Sequence, residues 1–249
     1  MPEINAINIF NKYFEMVPAV TDELKHEVYK LRYQVYSTEN GDKTGFNNFI
    51  DHSGEIEFDE YDSHSSHYLI RHRELRTYMA TTRLILPNAH NGKKLFPIEK
   101  HSQIDDVDLL KLIPRHNLAE LSRFCISKEF RRRKNEGHLL ITNDIVGSKV
   151  IFEQEEKRSS SYLTLALIAC GIKMSSENNI HYWYAFMEPA LIRIISALGI
   201  HFVEIGPLVN HYGLRQPCVI KIDDLLDGVA KKNLNHWNML TNNGQIRPR

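Results

Sequence analysis

The sequence has few cysteines and no long apolar run, and each absence excludes a class of protein. Its three cysteines, Cys125, Cys170 and Cys218, are far apart and form no Cys-x-x-Cys pair. We therefore expect neither a disulfide framework nor a zinc site, and a reducing compartment suits the chain best. The longest apolar run, residues 162–172, is well short of the roughly 20 residues that span a bilayer. The N-terminal stretch lacks the apolar core of a signal peptide. The sequence thus predicts a cytoplasmic protein without a transmembrane segment.

The chain also lacks an excess of charge of either sign. Its 31 Lys and Arg residues balance 31 Asp and Glu residues. The net charge of the protein therefore gives no overall electrostatic attraction for nucleic acid or an anionic membrane, and we expect no nucleic-acid partner. Any charged partner must be bound by a local patch. With 42% hydrophobic and 25% charged residues, the composition is that of a globular protein with a substantial core.

Periodicity and turn signals predict a mixed α/β chain. Residues 13–19 form a predicted strand, and Thr21 is the predicted N-cap of a helix that runs to about Tyr36. Residues 66–87 are predicted to form a β-hairpin, and 88–117 to be irregular. The other predicted elements are strands at 118–127, 180–187, 200–206 and 216–222, and helices at 139–152, 162–179, 188–199 and 223–240. No Pro-, Ser- or Gly-rich linker divides the chain, which predicts a single domain over 1–249 with a flexible insertion near 148–161 and a loose tail at 241–249.

Charged side chains occur inside segments that the pattern predicts to be buried. The stretch "AELSRFCIS" carries Glu120 and Arg123 within a predicted strand. Burying ionised groups is costly unless they are paired or used, so the charges could neutralise one another in a shared cavity or be unrelated surface ion pairs. Glu120 and Arg123 have opposite parity, so they should face opposite sides unless a bulge intervenes. The full set is Arg32, Asp59, Asp62, Arg83, Glu120 and Arg123.

Four motifs that contain these charges resemble one known family. "LRYQVY", "DEYD" followed by "HYL", "TTRL" and "ELSRF" occur in this order, as in the autoinducer (acyl-homoserine-lactone) synthases. Those enzymes are relatives of the GNAT N-acyltransferases. The chain resembles more closely the N-acyl amino acid synthases and the PEP-CTERM/exosortase system-associated acyltransferases, over roughly residues 13–226. The resemblance implies a GNAT fold, whose mixed central sheet splays between two parallel strands, here 118–127 and 180–187, and is flanked by helices.

The resemblance also implies a reaction and roles for the charged residues. We expect acyl transfer from a thioester to a primary amine, with Glu120 as the general base. Asp59 and Asp62 would bind the substrate ammonium group. The three arginines, Arg32, Arg83 and Arg123, would either hold a substrate carboxylate or only brace the acids, and both roles stay open. All six residues would then line the acceptor side of the site.

The donor side is expected along the strand that carries Glu120. The implied donor is acyl-phosphopantetheine, carried by acyl carrier protein or CoA, with no permanently bound cofactor and no metal. A backbone N–H group of this strand would stabilise the thioester oxygen. The donor-binding candidates on the strand are Phe124, Cys125 and Ile126. The basic cluster that follows would meet the acidic surface of acyl carrier protein, or would be a solvated face; it consists of Arg131, Arg132, Arg133 and Lys134. Tyr212 and Arg215 in "HYGLRQP" could also reach the site, as an acid or a clamp.

Two departures from related patterns narrow the expected substrate. The loop "ENGDKTGFNNF" has Phe46 and no tryptophan, whereas autoinducer synthases usually carry one there, which favours an amino acid over S-adenosylmethionine. "RRRKNEGH" keeps only Gly137 of a pyrophosphate-binding loop, which argues against free acetyl-CoA and a protein N-acetyltransferase. The predicted function is N-acylation of an amino acid or similar amine with a medium or long acyl chain. The alternatives are an acyl-homoserine-lactone synthase that uses S-adenosylmethionine, and a non-catalytic module that binds acyl carrier protein thioesters.

Overall fold

The computed structural model describes residues 6–39, 50–88, 94–128 and 162–248, which contain ten β-strands and eight α-helices. The strands are β1 (Phe14–Pro18), β2 (Ile50–Asp51), β3 (Ile56–Glu57), β4 (Ser65–His72), β5 (Tyr78–Ile85), β6 (Leu118–Ile126), β7 (Tyr182–Met187), β8 (Val203–Glu204), β9 (Val209–Asn210) and β10 (Leu214–Lys221). The helices are α1 (Ala6–Tyr13), α2 (Asp22–Tyr33), α3 (Pro97–His101), α4 (Val107–Lys111), α5 (Leu163–Glu177), α6 (Pro189–Ala197), α7 (Ile222–Lys232) and α8 (Leu234–Thr241).

Eight of the strands form one mixed sheet in the order β1-β4-β5-β6-β7-β10-β8, with β9 paired to β10. The pair β6–β7 is parallel, and the other neighbours along this order are antiparallel. Strands β2 and β3 form a separate antiparallel pair. The parallel pair consists of the two strands for which the sequence predicts this arrangement. The predicted mixed α/β fold, with a GNAT-like sheet flanked by helices, is confirmed.

The central parallel pair stays together over only part of its length. Strands β6 and β7 are paired from Leu118 opposite Tyr182 to Leu121 opposite Ala185. Beyond Leu121, β6 continues along β5 as far as Ile126, while β7 continues along β10. The sheet therefore opens into a V between its two central strands.

The two faces of the sheet have different cores. We call the side that carries Glu120 the front face; α2, α3 and residues 56–64 cover it, and its apolar side chains include Ile85, Phe96 and Tyr184. The back face packs against α1, α5, α7 and α8 in the largest hydrophobic cluster. None of the helices in the described part of the chain has the length and hydrophobicity needed to cross a bilayer.

Helix α5 is the central element of the back core, because most of its residues are buried. At Gly171 an added Cβ would lie 3.0 Å from the ring of Trp183, so glycine lets the helix approach β7 closely. The Trp183 Nε1–H donates to Ser175 Oγ of the same helix at 2.7 Å. Close packing here sets the position of β7 beside the V.

Several predicted boundaries differ from the observed ones for local reasons. Thr21 caps α2 as predicted, through Leu24 N, but the α-helix ends at Tyr33 and a π-helical turn follows over Gln34–Glu39. The predicted terminal helix is two helices, because the Asn233 side chain accepts from the first amides of α8 and starts a new helix.

Other predicted segments also differ from the observed structure, and two lie outside the described residues. Residues 88–117 contain the one-turn helices α3 and α4, and α1 has no counterpart among the predicted elements. In the predicted loose tail, Arg247 O accepts from Ser176 Oγ at 2.9 Å. The predicted helix at 139–152 and the insertion at 148–161 lie outside the described residues.

Candidate functional site

A β-bulge in β6 brings Arg123 to the front face. Thr81 is opposite Cys125, yet Arg83 is opposite Ser122, so β6 has one extra residue between these pairs. Arg123 lies in this interval with φ +51°, a left-handed conformation that is unfavourable for a side chain of this kind. The bulge turns Arg123 to the same side as Ser122 and Glu120. The sequence predicts that Glu120 and Arg123 can share a face only if a bulge lies between them, and the structure has this bulge.

Three arginines and three acids alternate around a closed ring of buried ion pairs on the front face. Arg32, on α2, donates through Nη1 to Asp62 Oδ1 at 2.7 Å and through Nη2 to Oδ2 at 3.1 Å. Its Nε donates to Glu57 on β3. Arg83 Nη1 donates to the same oxygen of Asp62, Oδ1, at 2.8 Å. We call this set the charge ring; it consists of Arg32, Asp62, Arg83, Asp59, Arg123 and Glu57.

The other half of the charge ring is held by Asp59 and Arg123. Arg83 binds Asp59 with two hydrogen bonds of 2.6 and 3.0 Å and also donates through Nε to Ser122 Oγ at 3.0 Å. Arg123 Nη2 is 3.0 Å from Asp59 Oδ2 and 2.8 Å from Glu57 Oε1, which closes the ring. All five of the sequence-predicted substrate-binding residues are thus brought together by mutual pairing.

The charge ring keeps its members ionised. Burial alone would raise the pKa of Asp59, but Arg83 and Arg123 hold that pKa below its usual value. The same balance lowers the pKa of Asp62 and Glu57. The side chains are nearly inaccessible, from 0% for Arg32 to 12% for Arg123. Removal of one partner would leave an uncompensated buried charge.

Glu57 is the member of the ring that the sequence analysis missed. It lies in "GEIEFDE", where acids alternate with apolar residues and look like the solvated side of a loop. Its side chain is fully buried because the short pair β2–β3 packs β3 against α2. No local signal separates Glu57 from its neighbours Glu55 and Glu60, both of which are exposed.

Glu120 lies on the same face but outside the charge ring. It is 3% exposed, and its Oε2 accepts from the backbone N–H of Ile98 on α3 at 2.9 Å. Among the described residues it forms no ion pair; Arg83 and Arg123 act on it only from longer range. Burial raises the pKa of Glu120 to about 7. A carboxyl group with this pKa exchanges its proton near neutral pH, which suits a general base.

An apolar cleft fills the V between β6 and β7 on the back face. Its cavity volume is about 40 Å³, within a wider space of about 410 Å³ between the lining atoms that is partly open to solvent. Ile168 of α5 lines it, so this helix is both core and cleft wall. Other lining residues are Leu121, Phe124, Ala185, Leu191 and Ile195.

The predicted donor-binding residues have different surroundings. Phe124 lines the cleft. Cys125 points to the front face, where it packs with Leu31 and Leu69 under α2 and is 1% exposed. Ile126 packs against the back core. The basic cluster at 131–134 lies outside the described residues.

Comparison with known proteins agrees with this geometry. Residues 31–141 match the family described as "Acetyltransferase (GNAT) domain". A search of curated proteins returns no match.

Solved structures with a similar fold include TofI, an acyl-homoserine lactone synthase and an N-acyl amino acid synthase. TofI, crystallised in a ternary complex with an inhibitor and MTA, has a TM-score of 0.55 at 15% identity, over 87% of this chain and 96% of TofI. BjaI, a CoA-dependent acyl-homoserine lactone synthase with SAM and isopentyl-CoA, has a TM-score of 0.54 at 14% identity, over 92% of this chain and 88% of BjaI. FeeM, an N-acyl amino acid synthase from uncultured soil microbes, has a TM-score of 0.52 at 14% identity, over 88% of this chain and 96% of FeeM. The chain has the GNAT-like fold that these proteins share.

Proposed function

We propose that the protein is an N-acyltransferase that moves a medium or long acyl chain from an acyl-phosphopantetheine thioester to the amine of an amino acid or similar small molecule. One observation carries the proposal: Glu120, buried with a pKa of about 7, lies on β6 three residues before the bulge and beside the V. The fold shared with FeeM and BjaI supports it. The resemblance to the PEP-CTERM/exosortase-associated group stays a prediction.

In this proposal the donor occupies the V. The amide groups of pantetheine add to the edge of β6 where β7 no longer pairs with it, as a partial extra strand. The acyl chain enters the apolar cleft beside Phe124 and Ala185, where burial of each methylene contributes roughly 0.8 kcal/mol. Acyl carrier protein is the proposed carrier, with CoA as the other source of the same thioester.

The reaction then needs one base and one leaving thiol. The ionised Glu120 takes a proton from the amine, directly or through one water, so that the nitrogen lone pair can attack. The new N–C bond forms at the thioester carbonyl carbon and the C–S bond breaks. The leaving thiolate takes up the second proton that the nitrogen loses as it becomes an amide, which gives the free thiol. A backbone N–H at the bulge stabilises the carbonyl oxygen as it gains negative charge.

The charge ring has a bracing role in this proposal. Its acids and arginines already satisfy one another, and the pKa of each acid is lowered, so none of them is a good base. Ser122, bound to Arg83, and the bulged Arg123 are held by the ring directly beside the V. A rigid ring fixes β6 at the point where donor and acceptor meet.

An acyl-homoserine-lactone synthase is the second candidate, and one observation favours it. TofI, crystallised with MTA, and BjaI, an acyl-homoserine lactone synthase with SAM, are as similar in fold to this chain as FeeM is. A reaction that consumes S-adenosylmethionine would release methylthioadenosine, which an amino acid acceptor would not.

The test is a comparison of wild type with Glu120→Gln, and with Glu204→Gln on edge strand β8 as a matched control. Purified protein receives long-chain acyl carrier protein or acyl-CoA with a mixture of amino acids, and mass spectrometry detects N-acyl amides. We expect amides from wild type and control, and a loss of about 100-fold or more in kcat/KM for Glu120→Gln. Equal rates in all three would remove Glu120 as the base. Donor binding without any amide would favour the non-catalytic module.

A further inference from the structure

A second group of side chains lies on the front face beside β7, and the proposed mechanism uses none of them. Glu120 is opposite Tyr184 in the parallel pair, and alternation along β7 puts Phe186 on the same side. Phe186 is in turn opposite Pro217 of β10, so Arg215, two residues earlier, shares that side. The face that carries the base therefore continues across β7 to Arg215.

Stacked rings connect this region to the site. His211 stacks on His101 with ring centroids 4.3 Å apart and on Phe186 at 5.6 Å. His101 belongs to α3, the helix whose Ile98 N–H binds Glu120. Burial, together with smaller contributions from His101, Arg215 and Arg123, lowers the pKa of His211 to about 4. His211 is thus a neutral ring within electrostatic reach of both the charge ring and Arg215.

A tight turn sets His211 and Arg215 on this face. Tyr212 and Gly213 have φ of 53° and 97°, and His211 N donates to Gly213 O at 2.9 Å. Arg215 Nη2 donates back to Tyr212 O at 3.1 Å. The guanidinium group is therefore held by the turn backbone, which leaves its other edge to bind a carboxylate.

The carboxylate now at Arg215 is unlike those of the charge ring. Glu188 Oε1 is 2.6 Å from Arg215 Nη1, but Glu188 is 61% exposed, against 5% or less for the acids of the ring. Nη1 is itself buried, and the contact is not aligned as a hydrogen bond; among the described residues Nη1 has no aligned acceptor. An exposed, poorly aligned ion pair contributes little, so another carboxylate can displace Glu188. A bidentate ligand carboxylate would satisfy the guanidinium better.

We propose that Arg215 binds the carboxylate of the acceptor, and that Glu188 occupies this position until the acceptor arrives. This inference rests on the proposed function and narrows its substrate class to amines that carry a free carboxylate, such as α-amino acids. The arginines of the charge ring then do not bind the acceptor carboxylate, because their guanidinium groups are already paired with the acids of the ring. Arg215 is then a specificity-determining residue.

The experiment measures discrimination between a carboxylate and its neutral analogue. Wild type, Arg215→Gln and Arg193→Gln receive the same acyl donor with either a mixture of amino acids or a mixture of the corresponding amino acid amides. Arg193 is an exposed arginine on α6 and serves as the matched control. We expect wild type and Arg193→Gln to prefer acids over amides by about tenfold or more in kcat/KM. Arg215→Gln should lose this preference through KM for the acids, with kcat on the amides retained.

The outcomes separate the two proposals. If no variant forms an amide from any acceptor, the proposed function fails and the role of Arg215 fails with it. If amides form and Arg215→Gln keeps the preference of wild type, only the carboxylate anchor is overturned. Glu188→Gln gives an independent test if Arg215→Gln does not fold: loss of the internal competitor should lower KM for acids severalfold and leave KM for amides unchanged. An unchanged KM for acids would count against the inference.

Discussion

Replacement of Glu120 by Gln should stabilise the protein, and the gain should grow with pH. Glu120 is 3% exposed, and burial raises its pKa from the usual 4.5 to about 7. The folded state therefore binds a proton that the unfolded chain releases between these two pH values. Where the folded state binds more protons, stability falls as pH rises. Gln has nearly the shape of Glu, carries no charge and keeps an oxygen that can accept from Ile98 N.

The size of the effect follows from the two pKa values of Glu120. Their difference of about 2.5 corresponds to ~3 kcal/mol, since each pH unit is worth 1.36 kcal/mol. Below about pH 4.5 the carboxyl group is neutral in both states, and the two proteins should differ little. The penalty accumulates from there to pH 7 and is nearly complete at about pH 8. It is a large fraction of the total stability of an ordinary domain, ~5–15 kcal/mol.

Urea denaturation at about pH 4.5, 6, 7 and 8 measures this effect. The free energy of unfolding of wild type should fall by ~3 kcal/mol relative to that of Glu120→Gln across the series. For the exposed control Glu204→Gln it should change with pH as it does for wild type. Parallel curves for wild type and Glu120→Gln would refute the reasoning, because Glu120 would then titrate equally in both states. A gain that shrinks as pH rises would mean that the pKa of Glu120 is lowered on folding.

Three further predictions concern rate, stability and chain length. The kcat/KM of wild type should fall tenfold per pH unit below about pH 7, because Glu120 must be ionised to act as the base; a flat profile down to pH 5 would contradict this role. Glu57→Gln should cost ~3–5 kcal/mol in urea denaturation, because two buried arginines lose their shared acid, whereas exposed Glu55→Gln should stay within ~0.5 kcal/mol. Ala185→Leu should narrow the cleft and shift the N-acyl products toward shorter chains by mass spectrometry; an unchanged series would place the acyl chain elsewhere.

The sequence reveals part of the charge ring because some charges interrupt an apolar pattern. Arg32 follows Leu31 on the buried side of α2, and Arg83 lies inside an aliphatic strand, so each can be recognised as an anomaly. Glu57 cannot, because it follows exposed acids and is buried only by the tertiary contact of β3 with α2. A buried position created by long-range packing leaves no trace in local periodicity.

The bulge shows a second limit of sequence reasoning. The alternation of side chains along a strand shows that Glu120 and Arg123 cannot share a face if the strand is regular. The solution, a left-handed Arg123, is not visible because arginine has no preference for positive φ. The backbone strain at this residue is offset by ion pairs to Glu57 and Asp59, which come from a segment some 60 residues earlier.

The distinction that matters most for the chemistry is the one between Glu120 and the other acids. By type and spacing, Asp59, Asp62 and Glu120 are equivalent candidates for a base. Pairing separates them: arginines hold the pKa of both aspartates below the usual range, so these carboxylates are poor proton acceptors. Glu120 is just as buried, but within the described part of the chain its carboxylate accepts only from the Ile98 amide, so burial raises its pKa toward neutrality. The three arginines of the ring pair with three other acids, one of which is Glu57, so among the described residues no arginine pairs with Glu120. Glu57, which the sequence did not single out, thereby helps to set the basicity of Glu120, which it did.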